Sequence, residues 1–575
     1  MRSGQVGRLR EWKDGRGLAS AFLLVVLAWL VLPPLGTLIV TSLHGTTQTG
    51  ALGRFTWHYF ASVWGHGQMG SLLGNTLGFS VGSSALALAL GMVEAWLVER
   101  TDAPGRGLLT ATAVMSLAVP YVLYTMAWIL VLGNNGPFNQ WIGPWFGSHN
   151  GRWFHLDSLP GMVLVEGFLW SPLVFLLLSS VLRNFDPRLE EASWMAGATP
   201  GQTVRGVALP ILLPAILSVA LLVFVRSFQA FEVPALVGLP GNVSVLASQV
   251  YVIMTEFAPP DYGQASAMSV YLLIAAAICF ALYFRVLGTA HRFHMVSGKG
   301  FRHQRLRLGP WRWLAGLFVG LDFAVKLVVP LGWLIWTAVL RSYQLPSPRA
   351  LGDLTWENFR SALQYPNFTS AAFHTLVLAI LASTAIMLLT WVAAWLGERS
   401  RLPARRLVDY VASAPLAFPA IVLGVGVLEF YLNLPVPIYG SLLILLIGYL
   451  TLFMPYGMRY LQPAVMHLSP ELEEAAQIAG ASPWAGFRGV VAPLTRSAFW
   501  AGWLFILLLV ARELTLSVFL VSPGNEVVAV ELFDLWNNGQ LGQVAAFGVI
   551  WTAVMTAIAL GFWSLIHRRD IELNV

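Results

Sequence analysis

Charge is scarce in this chain. Only 11% of its 575 residues are charged, 57% are hydrophobic, and the mean hydropathy is +0.68. A soluble domain carries about 25% charged residues, so a water-facing globular fold is excluded and an all-α membrane protein is expected. Cysteine is nearly missing: Cys279, inside an apolar run, stands alone. That excludes a disulfide framework or a cysteine metal site within one chain. The 11 histidines include no i,i+4 pair, so no histidine metal site is visible and any metal ligand stays unknown. A G-x-x-x-x-G-K-[ST] loop is also absent. The one Gly-Lys pair, Gly298-Lys299, lacks the upstream glycine and the following hydroxyl. The chain is therefore not expected to bind ATP through a loop of this kind. No nucleophile–base constellation falls in the apolar runs, so neither enzyme chemistry nor a cofactor is expected.

What is present is a series of apolar runs. About 20 such residues cross the hydrocarbon core as a helix. Twelve candidates lie near 18–42, 73–97, 108–132, 160–182, 207–230 and 265–289, then 313–340, 371–396, 407–432, 439–463, 494–520 and 541–566. The first follows MRSGQVGRLREWKDGRG. It exceeds 20 residues and no small-residue cleavage pattern follows, so it reads as a retained span rather than a signal peptide. With both termini cytoplasmic, 26 of the 34 Lys and Arg fall in or beside inner segments. Arg54, Arg152, Arg341, Arg349 and Arg360 fall outside, and Arg226, Lys326 and Arg512 lie within spans. The positive-inside rule favours this orientation. It also accounts for the net charge of +6 without nucleic acid. Trp96, Trp170, Trp311, Trp313, Trp395 and Trp563 near run ends suit either interfacial anchoring or packing.

The chain repeats itself. AWLVERTDAPGR (Ala95–Arg106) matches AWLGERSRLPAR (Ala394–Arg405) at an offset of 299 residues. RLEEASWMAGATPGQTVRGVALP (Arg188–Pro210) matches ELEEAAQIAGASPWAGFRGVVAP (Glu471–Pro493) at an offset of 283. Six spans per half make the repeats parallel. The expected organisation is a first half over 1–290, a basic cytoplasmic linker over 291–311 with Lys299, Arg302, Arg305 and Arg307, and a second half over 312–575. The linker suits anionic lipid headgroups, as inner basic loops do.

Each long matched loop, near 188–210 and 471–493, has one physical plan. A short helix (Glu190–Ala196 or Glu473–Ala479) ends at Gly197 or Gly480. A second helix begins at Thr199-Pro200 or Ser482-Pro483, a hydroxyl cap followed by proline. Pro210 and Pro493 follow near re-entry into the membrane. The pattern resembles the EAA loop of ATP-binding cassette importer permeases, across both halves. The first copy departs as Glu191-Ala192-Ser193 and the second as Ala492-Pro493 in place of Leu-Pro. The resemblance implies a type I importer permease fold in a bacterial inner membrane. It implies docking loops built on Glu191, Ala192, Gly197 and Pro210 and on Glu474, Ala475, Ala476, Gly480 and Pro493. The implied partners are an ATPase subunit, two copies per chain, and a soluble substrate-binding protein outside.

Ionisable residues inside spans are functional candidates by default. Arg226 and Glu232 in the first half, and Arg512 and Glu513 in the second, follow the docking loops in segments that both end in Pro-Gly-Asn. They are candidates for a translocation path or gate, or for structural ion pairs. Asp322 and Lys326, one turn apart, read as a local pair. Gly70, Gly74, Gly78 and Gly82 read as a packing seam. FEVPALVGLPG followed by PPDYGQASA (Pro259–Ala267), and RELTLSVFLVSPGNEVVAVELFDLW (Arg512–Trp536), resemble fused ferric-iron importer permeases, which implies iron as cargo. Polyamine, thiamine, phosphonate and sulfate remain alternatives within the family, and an ion-gradient-driven secondary transporter is the alternative outside it. Glu256, Asp261, Tyr262, Glu526, Glu531 and Asp534 are candidate outer oxygen ligands or solvated surface.

Overall fold

In a bilayer the backbone has no water to bond, so long apolar runs satisfy their polar groups internally as helices. The computed structural model follows that rule and describes residues 15–46, 52–65, 67–146, 153–183, 185–256, 258–290, 306–399 and 404–572. Lys299, Arg302 and Arg305 of the expected linker lie outside the described residues.

The first half contains α1 (Arg16–Ser42), α2 (Met69–Arg100), α3 (Arg106–Ala118), α4 (Tyr121–Leu132), α5 (Leu159–Arg183), α6 (Pro187–Met195), α7 (Leu209–Phe228), α8 (Leu246–Glu256) and α9 (Tyr262–Ala290). The second contains α10 (Trp311–Phe323), α11 (Val329–Ala338), α12 (Pro366–Arg399), α13 (Ala404–Ser413), α14 (Ala420–Leu432), α15 (Leu442–Met466), α16 (Pro470–Ile478), α17 (Ala492–Val510), α18 (Val528–Asn537) and α19 (Leu541–Glu572). Among the described residues, ten helices are long and apolar enough to cross a membrane, and three further pairs qualify jointly across a bend. The twelve expected spans correspond to the ten continuous helices and two of the bent pairs, α3–α4 and α13–α14. The third bent pair runs over 234–241 and 246–256 and lies in a segment read from the sequence as an outer connection.

Two of the bends were expected as straight spans. The cause is proline: Pro120 and Pro419 lack an N–H and push the preceding residue out of the α region. Val119 (φ −74°, ψ 131°) and Phe418 (φ −95°, ψ 124°) are accordingly extended, at equivalent positions of the repeat. Around these breaks the halves interlock. Helix α1 packs on α13 and α14 of the second half, while α10 and α11 pack on α3 and α4 of the first.

Close helix packing carries the same signature twice. A Cβ on Gly91 of α2 would sit 2.6 Å from Val174 of α5. At the equivalent contact Thr390 of α12 faces Gly457 of α15, where a Cβ would sit 2.5 Å from the Thr390 hydroxyl. The glycine has changed helices and the close approach has stayed. The expected glycine seam is partial: Gly78 and Gly82 face Leu159 and Val163 of α5, whereas Gly70 and Gly74 face open space. Among the tryptophans, Trp311 and Trp313 are exposed at a helix start, while Trp395 is buried and Trp170 faces an internal cavity.

Candidate functional site: duplicated loops and a central cavity

The two loops share their capping chemistry. Asp186 and Ser469 each accept a backbone N–H from two residues ahead, starting α6 and α16. Both helices end in left-handed glycines, Gly197 at φ 87° and Gly480 at φ 90°. The next N–H then returns to a carbonyl five residues back, Ala198 to Ser193 and Ala481 to Ala476. Thr199 and Gln202 cap each other reciprocally, and Ser482 accepts from Ala485.

The second helix of each loop is not a separate element, as the sequence suggested. It continues into the membrane as Gly201–Phe228 and Pro483–Val510. One π turn interrupts each, Val204–Ala208 and Phe487–Val491, just before Pro210 and Pro493. A wider turn accommodates a ring that would otherwise press on the preceding turn's carbonyl.

Each loop is braced by an ion pair. Arg100 at the end of α2 holds Glu190 at 2.9 Å, and Arg399 at the equivalent end of α12 holds Glu473 at 2.6 Å. Trp395 also donates to Glu473, at 2.9 Å. Of the two adjacent glutamates in each loop, the first is therefore tied inward. The second, Glu191 or Glu474, is exposed, as are Ala192 and Ala475, while Ala476 is half-buried. At the tips, Met195 and Ile478 hold equivalent positions and are 90% and 88% exposed.

A cavity of about 140 Å³ lies between the halves. Tyr121, Glu166, Trp170, Arg226, Gln229 and Glu232 line it from the first half, and Pro415, Phe418, Leu452, Tyr456 and Thr515 from the second. The proline breaks place Tyr121 and Phe418 in its wall. Two arginines cross the interface in opposite directions. Arg226 donates to the Tyr456 hydroxyl, and Arg512 donates to the Tyr121 hydroxyl at 3.1 Å while lying 4.3 Å from that ring's centre. Trp170 donates to Glu166 at 2.8 Å and Thr515 to Glu232 at 3.0 Å. Next to Glu232, Phe231 joins Tyr251, Phe519 and Phe533 in an aromatic cluster drawn from both halves.

Of the four candidate path residues, Arg226 and Glu232 thus line the cavity and Arg512 reaches its wall through Tyr121. Glu513 does not line it. Its carboxylate accepts from the Leu516 and Ser517 backbone and from the Ser517 hydroxyl, closing its own turn. Asp322 and Lys326 do pair locally, at 2.7 Å, but Lys326 also binds Glu94 of α2, so the cluster joins the halves. Glu94, Glu166 and Glu429 are buried in-span carboxylates that the in-span charge criterion also reaches. Tyr121 and Tyr456 follow in-span prolines, which was the signal available for them. Among the described residues no group of three His, Cys, Asp or Glu could hold a metal ion, and the outer acidic residues make no such set. Of the outer candidates, Glu531 is buried in α18 and Asp534 is exposed.

Known proteins share this sequence pattern. Residues 85–291 match the family described as binding-protein-dependent transport system inner membrane component. A ferric transport system permease of Actinobacillus pleuropneumoniae is 23% identical over 562 residues, covering 95% of this chain and 77% of the relative. A probable ABC transporter permease of Sinorhizobium fredii is 23% identical over 559 residues, covering 95% and 96%. A probable sulfate transport system permease of Nephroselmis olivacea is 32% identical over 208 residues, covering 35% of this chain and 70% of the relative. With two interlocked helical halves, a loop repeated in each and a cavity between them, this chain belongs to the binding-protein-dependent inner membrane component family, as a multi-pass permease subunit of an ATP-binding cassette importer.

Proposed function

We propose that the chain imports ferric iron, handed over by a soluble binding protein and driven by a separate ATPase. Support for the cargo comes from the relatives matched over nearly the whole chain that are named for ferric transport, whereas sulfate and molybdenum permeases match over 35–40% of it. The single observation that carries the mechanism is the repeated brace. In both halves the docking helix is fixed to the end of a long span by an arginine–glutamate pair, so force on the loop passes into the membrane.

The loops face the cytoplasm, with both termini on that side, as the distribution of Lys and Arg supports. The halves divide as 1–290 and 312–575, joined by a linker over 291–311. Glu191 and Glu474 meet basic groups of two ATPase copies, one per half. Gly197 and Gly480 turn the chain, and Pro210 and Pro493 start its return into the bilayer. Arg226, Glu232 and Arg512, with their phenol partners, form the path between the halves, and Glu513 holds its backbone in shape.

The test replaces Glu191 and Glu474 by Ala together. Ferric uptake into vesicles holding the full complex should fall to background while the ATPase still co-purifies. Unchanged uptake with normal ATPase binding would overturn the docking assignment.

A further inference from the structure

We infer that residues 138–146, in the connection between α4 and α5, form an apolar foot that rests in the headgroup region of the bilayer. Its partner is a lipid surface, whatever the cargo.

The foot lies at the end of the molecule opposite the docking loops. The connection leaves α4 at Leu132 and enters α5 at Leu159, whereas α6 follows the other end of α5. A π turn, Phe138–Ile142, runs into a 3-10 turn, Gly143–Phe146. The segment is pinned from within. Asn139 is fully buried, and its side-chain amide donates to the Leu132 and Phe154 carbonyls at 3.0 and 2.9 Å. Its oxygen accepts the Phe154 N–H at 2.8 Å. Tyr343 of the second half donates to the Leu130 carbonyl of α4 at 2.7 Å.

This fixed backbone holds large apolar groups outward. Trp141 is 50% exposed, Trp145 88% and Phe146 60%. Trp153 stacks on Phe146 with ring centres 4.4 Å apart. No Asp, Glu, Lys or Arg occurs from Gly133 to Gly151. An exposed apolar patch marks a contact with protein or with membrane. Here no charge is present to steer a protein partner. Indole rings, apolar with a single N–H, favour the membrane–water boundary.

The depth of the patch follows from its neighbour. Trp141 packs edge-on against Trp333 of α11, with ring centres 5.9 Å apart. The span holding Trp333 runs over Trp311–Ala338 and has 28 residues, about 42 Å at the helical rise. The hydrocarbon core is about 30 Å thick, so a centred span overhangs it by about 6 Å at each end. Trp333 lies about 7.5 Å before Ala338, at the edge of the core. The same span turns a stripe toward lipid: Leu314, Leu321, Val328 and Ile335 recur at heptad spacing and are each about half exposed. Trp141 therefore sits at headgroup depth, and Trp145 and Phe146 extend the patch beside it. The equivalent connection of the second half, Asn433–Ser441, contains no tryptophan. The foot thus ties the longer connection of the first half to the lipid beside α11 of the second.

The test exploits the lone cysteine. The full chain with its ATPase, carrying Cys279→Ser and Trp145→Cys, is spin-labelled and placed in nanodiscs of phosphatidylcholine and phosphatidylglycerol. Power-saturation EPR compares access to oxygen, which concentrates in lipid, with access to a nickel chelate, which stays in water. Labels on Leu321→Cys, in the lipid-facing stripe, and Asn538→Cys, exposed beyond α18, supply the two references. At position 145 oxygen access should exceed nickel access several-fold, as at 321. Nickel access equal to that at 538 overturns the foot. Nickel access that falls only when the soluble binding protein is added assigns the patch to that protein and overturns the foot as well. A second measurement needs no label and only a mild substitution. Brominated phosphatidylcholine quenches tryptophans that touch lipid, and the chain has 24 of them. Trp145→Phe should lower the quenched part of the emission. If only the unquenched part falls, Trp145 stands in water and the foot does not exist.

Discussion

The Thr515 hydroxyl donates to Glu232 Oε1 at 3.0 Å, and the two residues occupy the same position in the two halves, 283 residues apart. Equivalent positions can touch only where the axis relating the halves passes between them. Residue 232 and residue 515 therefore mark the centre of the molecule, beside the cavity and next to the aromatic cluster around Phe231. Replacing Thr515 by Val keeps the shape and removes the donor. A buried acceptor left unmet costs about 1–3 kcal/mol. The thermal midpoint of the solubilised chain should fall by a few degrees, and Thr515→Ser should restore it. A Val variant as stable as wild type would mean that this contact is not part of the closed interface.

The arginine braces give a second prediction. Arg399 binds Glu473 and also donates to the Val465 and Leu468 carbonyls at the end of α15, at 3.3 and 2.7 Å. Arg399→Met leaves the Glu473 carboxylate with Trp395 as its side-chain partner. Breaking one partner of a buried pair costs about 3–5 kcal/mol, and this pair is slightly exposed, so the low end applies. Uptake should be lost with a clear drop in melting temperature. Arg399→Lys should recover only part of it, because a lysine cannot reproduce the fork that spans the carboxylate and both carbonyls.

These braces show how much could be read in advance. The two repeated stretches were visible in the sequence, and the structure shows that they touch: Arg100 and Arg399 end the first stretch's helix, and Glu190 and Glu473 lie in the second. Which glutamate of each Glu-Glu pair turns inward was not legible. Neighbouring helical residues point about 100° apart, and the deciding partner lies 90 or 74 residues away. The Gly91–Val174 and Thr390–Gly457 contacts were hidden for a related reason. Spacing is preserved by the pair, so neither helix alone repeats its glycine. The bends at Pro120 and Pro419 were readable from proline chemistry, but an unbroken apolar run concealed them. The cavity needed both halves in place, since its wall draws on six separate segments of chain.

Acidity at helix α18 yields a pH prediction. Burial pushes the Glu531 carboxyl up to about 7, and the nearby Asp534 and Glu526 raise it further. A raised carboxyl pKa means that the folded state prefers the protonated form. Its contribution to stability is full below about pH 4.5 and is lost as pH rises through about 7. Glu531→Gln mimics the protonated form at every pH. It should raise the thermal midpoint by about 2–4 °C at pH 8 and change nothing at pH 4. An equal shift at both values would place the effect in packing instead of charge.

The exposed tips of α6 and α16 give a test of how many ATPase copies the chain holds. Met195 and Ile478 stand at equivalent positions and are 90% and 88% exposed. Large apolar groups offered this fully to water in a matched pair point to a partner surface. A charge at the centre of an apolar contact costs several kcal/mol if it stays unpaired. Each tip should therefore be sensitive on its own: Met195→Asp and Ile478→Asp singly should each leave one ATPase per chain after gentle purification, and together none. Mass photometry of the three complexes reads the stoichiometry directly. If either single variant releases both copies, the motors bind as a preformed pair and the two loops act as one site. If the double variant keeps both, the tips are not where the ATPase docks, and the exposed Glu191 and Glu474 faces must carry the contact alone.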